Sequence, residues 1–215
     1  NCHAGCVIQC SQVYNDKDKE YKTAGFEYES IWAMGADCCV ENLDDIAEAD
    51  WLMDDIGIDT IETSVAFGVA MEAGVLEFGD GPGMCRMLKD EVGKGSALGR
   101  IIGNGAGSVG RSFGVTRVPV VKNQAIPAYD PRAIKGMAIT YATTPMGADH
   151  TSGYAVTANI LGVGGNVDPL TKEGQVELSR NLQIATAAID STGMCLFIAF
   201  AALDDPNCLP ALIDL

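Results

Sequence analysis

Asp190-Ser191-Thr192-Gly193-Met194-Cys195, near the end of the chain, repeats the pattern of an earlier stretch, Asp54-Asp55-Ile56-Gly57-Ile58-Asp59. Both stretches read Asp-x-x-Gly, followed by Ile or Met and then by Asp or Cys. A single aspartate before a glycine turn at a helix boundary is common and does not by itself indicate a ligand site. The evidence for a site is that the pattern occurs twice. Two copies indicate two matching sites, either for two copies of one ligand or for two halves of one ligand.

The first copy lies at the end of a predicted helix. Asn42 is a typical N-cap, apolar residues recur at helical spacing after it, and Gly57 ends the helix, which we expect over 43–56. A second helix is expected over about 60–73. Further helical patterns, the last of them capped by Ser191, cover about 84–93, 97–106, 133–144, 172–189 and 192–203.

Strand signals are few, and the sequence therefore predicts a mainly α fold. The charged run 15–22 is typical of a solvated loop, and 116–121 is β-branched and extended. The glycine-rich stretch 103–114 indicates a loop or tight helix packing, because a dinucleotide fingerprint would need a preceding strand and an acidic partner. A soft boundary near 115–132 gives two predicted domains, 1–120 and 121–215.

Composition limits the classes of function. The 215 residues are 47% hydrophobic, which suffices for the core of one or two domains. The formal net charge of −15 argues against a nucleic-acid partner, since phosphate binding needs a basic surface. Neither a targeting segment nor a transmembrane run is visible, and eight cysteines without a secretory signal favour a reducing cytoplasm.

Cysteine spacing predicts a metal centre. Cys2, Cys6 and Cys10 are evenly spaced, and with a distant fourth cysteine such as Cys195 they match the requirement of a cubane iron–sulfur cluster. Zinc would accept the same residues. The remaining cysteines have no partner spacing and are interpreted as small buried hydrophobic residues, namely Cys38, Cys39, Cys85 and Cys208.

Nearly the whole chain resembles the C-terminal part of the aldehyde:ferredoxin oxidoreductase family of tungsten bis-pterin enzymes. The resemblance is carried by the twin motifs, by the run 121–132, by Lys135-Gly136-Met137 and by Tyr141-Ala142-Thr143-Thr144. It implies two helical domains. It also implies that the family's N-terminal β-rich domain, which covers the pterins from the other side, is absent from this chain.

The resemblance assigns one motif to each pterin of a tungsten (or molybdenum) bis-pterin. Carboxylates accept the ring N–H groups with charge assistance, and glycine permits a close approach of the backbone. The implied cofactor-binding residues are Asp54, Gly57, Asp59, Asp190, Gly193 and Lys122, of which Lys122 is equally compatible with a plain surface charge.

The resemblance also makes Cys195 the fourth ligand of a 4Fe-4S cluster. The family usually spaces its first two cysteines by two residues, whereas Cys2 and Cys6 are separated by three. Cys2 is the preferred first ligand, with Gly5 accommodating the extra residue, and His3 is the alternative. The four implied metal ligands are therefore Cys2, Cys6, Cys10 and Cys195.

An acid–base pair is implied by two further matches. Tyr28-Glu29 resembles the family's Tyr-Glu near the metal, and His150 resembles the histidine of its Arg-Gly-x-Cys-His. Glu29 would activate a water or take a proton, and His150 would polarise the carbonyl oxygen. The surroundings of His150 depart from the family pattern: Met146 replaces Arg, Asp149 replaces Cys, and Ser152 replaces a basic residue.

The implied reaction converts an aldehyde and water to a carboxylic acid. Electrons would leave through the cluster to ferredoxin or an electron-transfer subunit, and both homo-oligomers and hetero-oligomers remain open. The departures around His150 motivate a second hypothesis, a divergent member that acts on a non-aldehyde substrate inside a larger redox complex. A third hypothesis, a zinc-stapled helical interaction module, predicts zinc without tungsten, molybdenum or labile sulfide.

Overall fold

The computed structural model describes residues 4, 6–10, 12–198, 205 and 207–213. The chain forms two compact units, Asn1–Ala128 and Tyr129–Leu215. The division between these units falls inside the 115–132 stretch that the sequence indicated. The domains 1–120 and 121–215 themselves remain a prediction.

The first unit begins with a short antiparallel hairpin, β1 (Val13–Asn15) and β2 (Tyr21–Ala24). The Asp16 carboxylate closes its turn by accepting the backbone N–H groups of Asp18 and Glu20, each at 2.9 Å. The expectation of a loop over the whole of 15–22 is therefore wrong at both ends. Charge alone gave no hint of the hairpin, because a two-stranded ribbon buries little apolar surface.

Helices α1 to α3 follow, and local capping signals explain their bounds. Helix α1 (Tyr28–Ile31) continues into a π-helical turn, Trp32–Ala36. Helix α2 (Leu43–Ile56) starts where the Asn42 side chain accepts the N–H of Asp44 at 3.0 Å and ends at Gly57, as predicted. Helix α3 (Thr60–Glu72) is buried along most of its length and packs against several of the other helices of this unit.

The rest of the first unit surrounds α3. Helix α4 (Gly81–Met87) continues into a π-helical turn, Leu88–Val92, and is followed by α5 (Ala97–Gly103), α6 (Ala106–Phe113) and the hairpin β3 (Val120–Val121) and β4 (Gln124–Ala125). The core includes fully buried large side chains from Met34, Met53, Phe67 and Met84.

Glu62 explains why the helix predicted over 97–106 ends early. Its carboxylate accepts the backbone N–H of Ala106 at 2.9 Å and that of Ala125 at 2.7 Å. Gly105 has φ 87°, and a Cβ there would lie 2.3 Å from Glu62 Oε1. The chain therefore breaks at Gly105 and starts α6, and the single helix expected over 97–106 is wrong.

The second unit is built on two helices, α7 (Lys135–Thr143) and α8 (Gln175–Ser191), which pack against each other. Between them lie a 3₁₀ turn (Thr151–Gly153) and a π-helical turn (Thr157–Leu161). A 3₁₀ turn (Leu196–Ile198) and α9 (Cys208–Ile213) follow α8. The interface between α7 and α8 is partly polar, since the buried hydroxyls of Thr140 and Ser179 are 2.8 Å apart.

Ser191 does not cap a following helix. It is the last residue of α8, and its hydroxyl donates to the carbonyl of Ala187 at 2.7 Å. The predicted helix to about 203 runs into residues 199–204, which lie outside the described part of the chain. The predicted mainly α class is confirmed. No helix within the described ranges is long and apolar enough to cross a membrane.

Candidate functional site

The first motif forms the end of α2 and the turn after it. Asp54 lies in the last helical turn with an exposed side chain. Its carbonyl accepts the N–H of Gly57 at 3.1 Å, and Gly57 takes the left-handed conformation with φ 82° and ψ 44°. No heavy atom lies within 4 Å of the position that a Cβ of Gly57 would occupy. The turn thus leaves open space beside an exposed carboxylate.

The second motif forms a similar turn at the end of α8, placed one residue later relative to the end of the helix. Asp190 is exposed in the last turn, and its carbonyl accepts the N–H of Gly193 at 3.0 Å. Gly193 has φ 72°, and the space beside its Cα is open to at least 4 Å. The repetition in sequence is therefore also a repetition in backbone conformation, with an aspartate and a left-handed glycine at equivalent points.

The two motifs differ in their last residue. Asp59 caps α3, since its carboxylate accepts the N–H of Glu62 at 2.6 Å. Helix capping thus accounts for Asp59 without a cofactor, and its cofactor role stays a prediction. Cys195 starts the 3₁₀ turn, with its carbonyl accepting the N–H of Ile198 at 3.1 Å. Its thiol is half-buried.

Both motifs fit the chemistry of a pterin edge. A pterin presents amino and ring N–H donors, which suit an exposed carboxylate, and it is a flat ring, which suits a backbone without a side chain. Asp54 and Gly57 supply these features on the first unit, and Asp190 and Gly193 supply them on the second.

The predicted cluster ligands are only partly within the described residues. Cys6 and Cys10 are half-buried in the segment before β1, as Cys195 is after α8. Cys2 and the alternative His3 lie outside the described residues. Across the described ranges, no group of three His, Cys, Asp or Glu side chains is arranged to hold a metal ion. The convergence of the four cysteines stays a prediction.

The other cysteines divide by burial. Burial raises the pKa of the Cys38 thiol far above its usual value and raises that of Cys85 to about 12. Because metal binding needs the thiolate, these two behave as the small hydrophobic residues that the sequence predicted. Cys208 is half-buried and packs against Ile189. Cys39 is exposed with φ 59°, so its prediction as buried is wrong.

Glu29 is positioned by a backbone group. One oxygen of its half-buried carboxylate accepts the N–H of Ala128 at 3.0 Å, which links α1 to the segment after β4. Tyr28, at the start of α1, is exposed. The acid–base roles of Glu29 and Tyr28 stay a prediction. The hydrogen bond does fix where the Glu29 carboxylate is held.

Asp50 is a buried carboxylate that the sequence reasoning missed. It lies one helical turn before Asp54, is 2% exposed, and accepts the hydroxyl proton of Thr23 at 2.7 Å. Burial raises its pKa, while hydrogen bonds from Thr23 and Ser30 oppose the shift. Asp50 therefore ties β2 and α1, the element that carries Glu29, to the helix of the first motif. An aspartate among apolar residues on one helix face was the available signal.

His150 lies in an aromatic cluster with Tyr129 and Tyr154. Its ring centroid is 5.3 Å from that of Tyr129 and 5.8 Å from that of Tyr154, and the two tyrosine hydroxyls are hydrogen bonded to each other. The hydroxyl of Tyr141 donates to the carbonyl of Tyr129 at 3.0 Å. Tyr129 and Tyr154 hold the imidazole in place, and the sequence analysis gave no tyrosine a role beside His150.

Two of the three departures from the family pattern beside His150, Asp149 and Ser152, contact each other. Asp149 accepts the N–H of Thr151 at 2.9 Å and its hydroxyl at 2.7 Å, and it also accepts the hydroxyl proton of Ser152. Burial acts to raise the pKa of Asp149, but these hydrogen bonds and the nearby His150 lower it. Asp149 is thus held as a carboxylate next to His150.

Lys122 lies at the tip of the β3–β4 hairpin. Lys122 and Asn123 both have positive φ, 52° and 70°, as a two-residue turn of this hairpin requires. The side chain of Lys122 is exposed. Its proximity to a cofactor stays a prediction, and the turn geometry explains its backbone position.

Comparison with known proteins covers almost the entire chain. The family model for aldehyde ferredoxin oxidoreductase, domains 2 and 3, matches residues 1–214. A tungsten-containing aldehyde ferredoxin oxidoreductase of Pyrococcus furiosus is 34% identical over 214 residues, which cover 93% of this chain and 35% of that protein. A protein of the same description from Thermococcus kodakarensis gives the same identity and coverage.

A third relative, the tungsten-containing aldehyde ferredoxin oxidoreductase of Pyrococcus horikoshii, is 32% identical over 212 residues. The match covers 91% of this chain and 35% of that protein. The chain therefore spans about a third of the length of the curated relatives that it matches.

Proposed function

The chain belongs to the aldehyde ferredoxin oxidoreductase family, and from that membership we propose that it forms the helical part of a tungsten-pterin enzyme that oxidises aldehydes to carboxylic acids. The substrate, the cofactors and the partners of the whole protein are part of this proposal, because the chain spans 35% of its relatives. The relatives are described as tungsten-containing, which supports tungsten over molybdenum here.

The observation that carries the proposal is the shared geometry of the two motifs. Asp54 and Asp190 each lie in the last turn of a helix, and each is followed after three residues by a glycine with positive φ and open space beside it. We assign one pterin to each motif, with the carboxylate accepting the ring N–H groups and the glycine backbone approaching the ring.

The proposed cluster uses Cys2, Cys6, Cys10 and Cys195. Half-exposed thiols at Cys6, Cys10 and Cys195 fit this role better than Cys38 and Cys85, whose burial disfavours the thiolate. Cys195 directly follows the second motif, so one short segment would serve a pterin and the cluster. Electrons would leave through this cluster to ferredoxin or an electron-transfer subunit.

A bound tungsten bis-pterin would supply the oxygen transfer and accept the two electrons. The chain's own residues would manage the proton and the substrate. Glu29, oriented by the N–H of Ala128, is proposed to take a proton from water, with Tyr28 beside it at the start of α1. His150, held between Tyr129 and Tyr154, is proposed to hydrogen bond to the carbonyl oxygen.

Replacing each motif aspartate tests the proposal. Asp54→Ala and Asp190→Ala should each lower the pterin content of the purified whole protein, because the ring donors would lose a charged acceptor and remain partly desolvated. Asp55→Ala is the matched control, since Asp55 is the exposed neighbour in the same helix and occupies a variable position of the motif. Full pterin occupancy in both motif variants would refute these roles.

A second function is favoured by the contacts around Asp149. Asp149, hydrogen bonded to Ser152 and adjacent to His150, replaces the Cys of the family pattern, and Met146 and Ser152 replace its basic residues. Added negative charge there favours substrates with a donor or a positive charge over plain aldehydes. In this second function the cofactors are the same and the substrate is different. A substrate screen of the whole protein distinguishes the two, since aldehyde turnover at ordinary family rates would exclude the second function.

Localisation and assembly belong to the same proposal. The reducing conditions that a thiolate-bound cluster needs support a cytoplasmic location. The redox role requires an electron-transfer partner. A homo-oligomer and a hetero-oligomer are both compatible with the described surface.

A further inference from the structure

A half-open cavity of about 180 Å³ lies in the first unit beside α3. Its walls combine polar and apolar side chains and come from α3, from Phe78 and from the segment after α6; the apolar lining residues are Val65, Val69, Phe78, Val115 and Pro119. With about 30 Å³ per water molecule, the volume suits a ligand of about six non-hydrogen atoms. None of its lining residues belongs to the cofactor or acid–base sets proposed above.

Asp37 places a carboxylate in this cavity. Its side chain lies against α3 at Gly68, where a Cβ would come 3.0 Å from Asp37 Oδ2. Burial raises the pKa of Asp37, and no cation or hydrogen-bond donor among the described residues counters that shift. The carboxylate is therefore half-buried against apolar side chains, an unfavourable environment for a charge unless a positive ligand compensates it.

The charged pair that also lines the cavity leaves this negative charge in place. Arg117 Nη2 lies 2.9 Å from Glu72 Oε1, and both side chains are exposed. Their charges cancel, so the lining keeps one net negative charge, which is that of Asp37. The guanidinium of Arg117 is engaged by Glu72 and does not neutralise Asp37.

We propose that this cavity binds a small primary alkylammonium group, with the ammonium at Asp37 and the alkyl chain against the apolar wall. A compact ammonium on an aliphatic stem matches a single carboxylate surrounded by Val65, Val69 and Phe78. A hard divalent cation fits poorly, because it needs about six oxygen ligands, and the described residues offer no such group.

The ammonium has two sources with the same chemistry: a free small amine, or a lysine side chain from another protein or another part of the whole protein. Binding to the purified whole protein tests the first source. n-Butylammonium, titrated calorimetrically, should bind saturably, and n-butanol, its neutral analogue, should not. Asp37→Asn should weaken n-butylammonium binding at least tenfold.

Two further variants control this measurement. Asp90→Asn removes the same charge from an exposed residue paired with Lys94, which does not line the cavity, and should leave binding unchanged. Gly68→Ala keeps the Asp37 carboxylate but crowds it with a Cβ, so binding should weaken several-fold. Since alanine is favourable inside a helix, Gly68→Ala remains informative if Asp37→Asn fails to fold.

Zero-length carbodiimide coupling tests the second source. If a lysine fills the cavity, Asp37 should be joined to a lysine-containing peptide, the cross-link should be absent from Asp37→Asn, and n-butylammonium should not bind. Either result supports the ammonium site and identifies its source. Equal n-butylammonium affinity in the wild type and Asp37→Asn would overturn the proposal, as would the absence of both binding and cross-link. The test does not depend on the cofactors or on oxidoreductase activity.

Discussion

A conservative change at Glu29 tests its chemical role separately from its structural role, because the hydrogen bond from the Ala128 N–H can be kept. Gln at this position retains an oxygen that can accept the Ala128 N–H while removing the charge. Glu29→Gln should therefore lower turnover by about 10²–10⁴-fold, the usual contribution of a positioned acid or base. Tungsten, iron and pterin contents should stay at wild-type values.

His150→Asn should behave in the same way, since the loss of the imidazole leaves Tyr129 and Tyr154 hydrogen bonded to each other. The measurement is aldehyde turnover per bound tungsten. A fall in rate that accompanies cofactor loss would mean that Glu29 and His150 are structural. An unchanged rate would favour the second function, in which the residues around His150 bind a substrate other than an aldehyde.

Asp37 has a predictable effect on stability. Its pKa in the folded protein is raised above the unfolded value of about 3.9, so the charged form is disfavoured by folding. The resulting loss in the free energy of unfolding is absent below the unfolded pKa, grows as the pH rises toward the folded pKa, and is complete above the folded pKa. Asp37→Asn should therefore raise the melting temperature near pH 7 and lose this advantage as the pH falls toward 4.

Thermal unfolding of both proteins across this pH range checks the effect of Asp37. A lower melting temperature for Asp37→Asn at neutral pH would contradict the assigned burial penalty. A carboxylate that is kept at a cost in stability is typical of a ligand site, and this agrees with the proposed ammonium cavity.

Gly57 is the left-handed residue that ends α2, and Gly193 lies in the turn two residues after the end of α8. Both have positive φ, at which an L-residue with a Cβ is strained by about 1–2 kcal/mol. Gly57→Ala and Gly193→Ala should each lower the free energy of unfolding by about that amount. Neither has a steric neighbour to complicate the result, since no atom lies within 4 Å of the added Cβ.

Gly103 is the matched control. It is the last residue of α5 and does not have positive φ, and an added Cβ would meet Val92 Cγ1 at an ordinary 3.7 Å. Gly103→Ala should therefore be neutral or stabilise the protein by up to about 1 kcal/mol. Chemical denaturation measures all three variants. Equal effects at Gly57, Gly193 and Gly103 would mean that the left-handed conformation does not limit these turns.

The elements that could be predicted are those with local signals. Asn42 and Gly57 gave both ends of α2, because capping and the left-handed glycine act within a few residues of the chain. The break between α5 and α6 could not be predicted, since it depends on the carboxylate of Glu62 in a distant helix. The hairpin β1–β2 was missed because strands of three or four residues have no readable periodicity.

In the candidate site, too, the residues with local signals could be predicted and those brought together by tertiary packing could not. The motif residues Asp54, Gly57, Asp190 and Gly193 could be found because the chain repeats them, and their backbone conformations depend on local turns. Asp50 and the tyrosines around His150 could not, since tertiary packing brings them together. The group that orients Glu29 could not be predicted either, because it is the backbone N–H of Ala128 and has no side-chain signal.

At the scale of the whole molecule, charge contributes little to cohesion. The chain has a net charge of −15, and its described ion pairs are largely on the surface, where each contributes about 0–1 kcal/mol. Stability must come from the apolar core around α3 and from the interface of α7 and α8. The acidic surface is therefore available to set partner choice, and a redox partner with a basic face would be steered toward it.

Metal analysis of the intact protein that carries this chain, in the wild type and in Cys195→Ser, tests the central claim most directly. The wild type should contain tungsten or molybdenum together with iron and labile sulfide. Cys195→Ser should lose iron and sulfide because serine is a harder and poorer iron ligand, whereas Cys39→Ser, at an exposed cysteine outside the proposed set, should retain both. Zinc without tungsten, molybdenum or sulfide would contradict the account, as would unchanged iron and sulfide in Cys195→Ser.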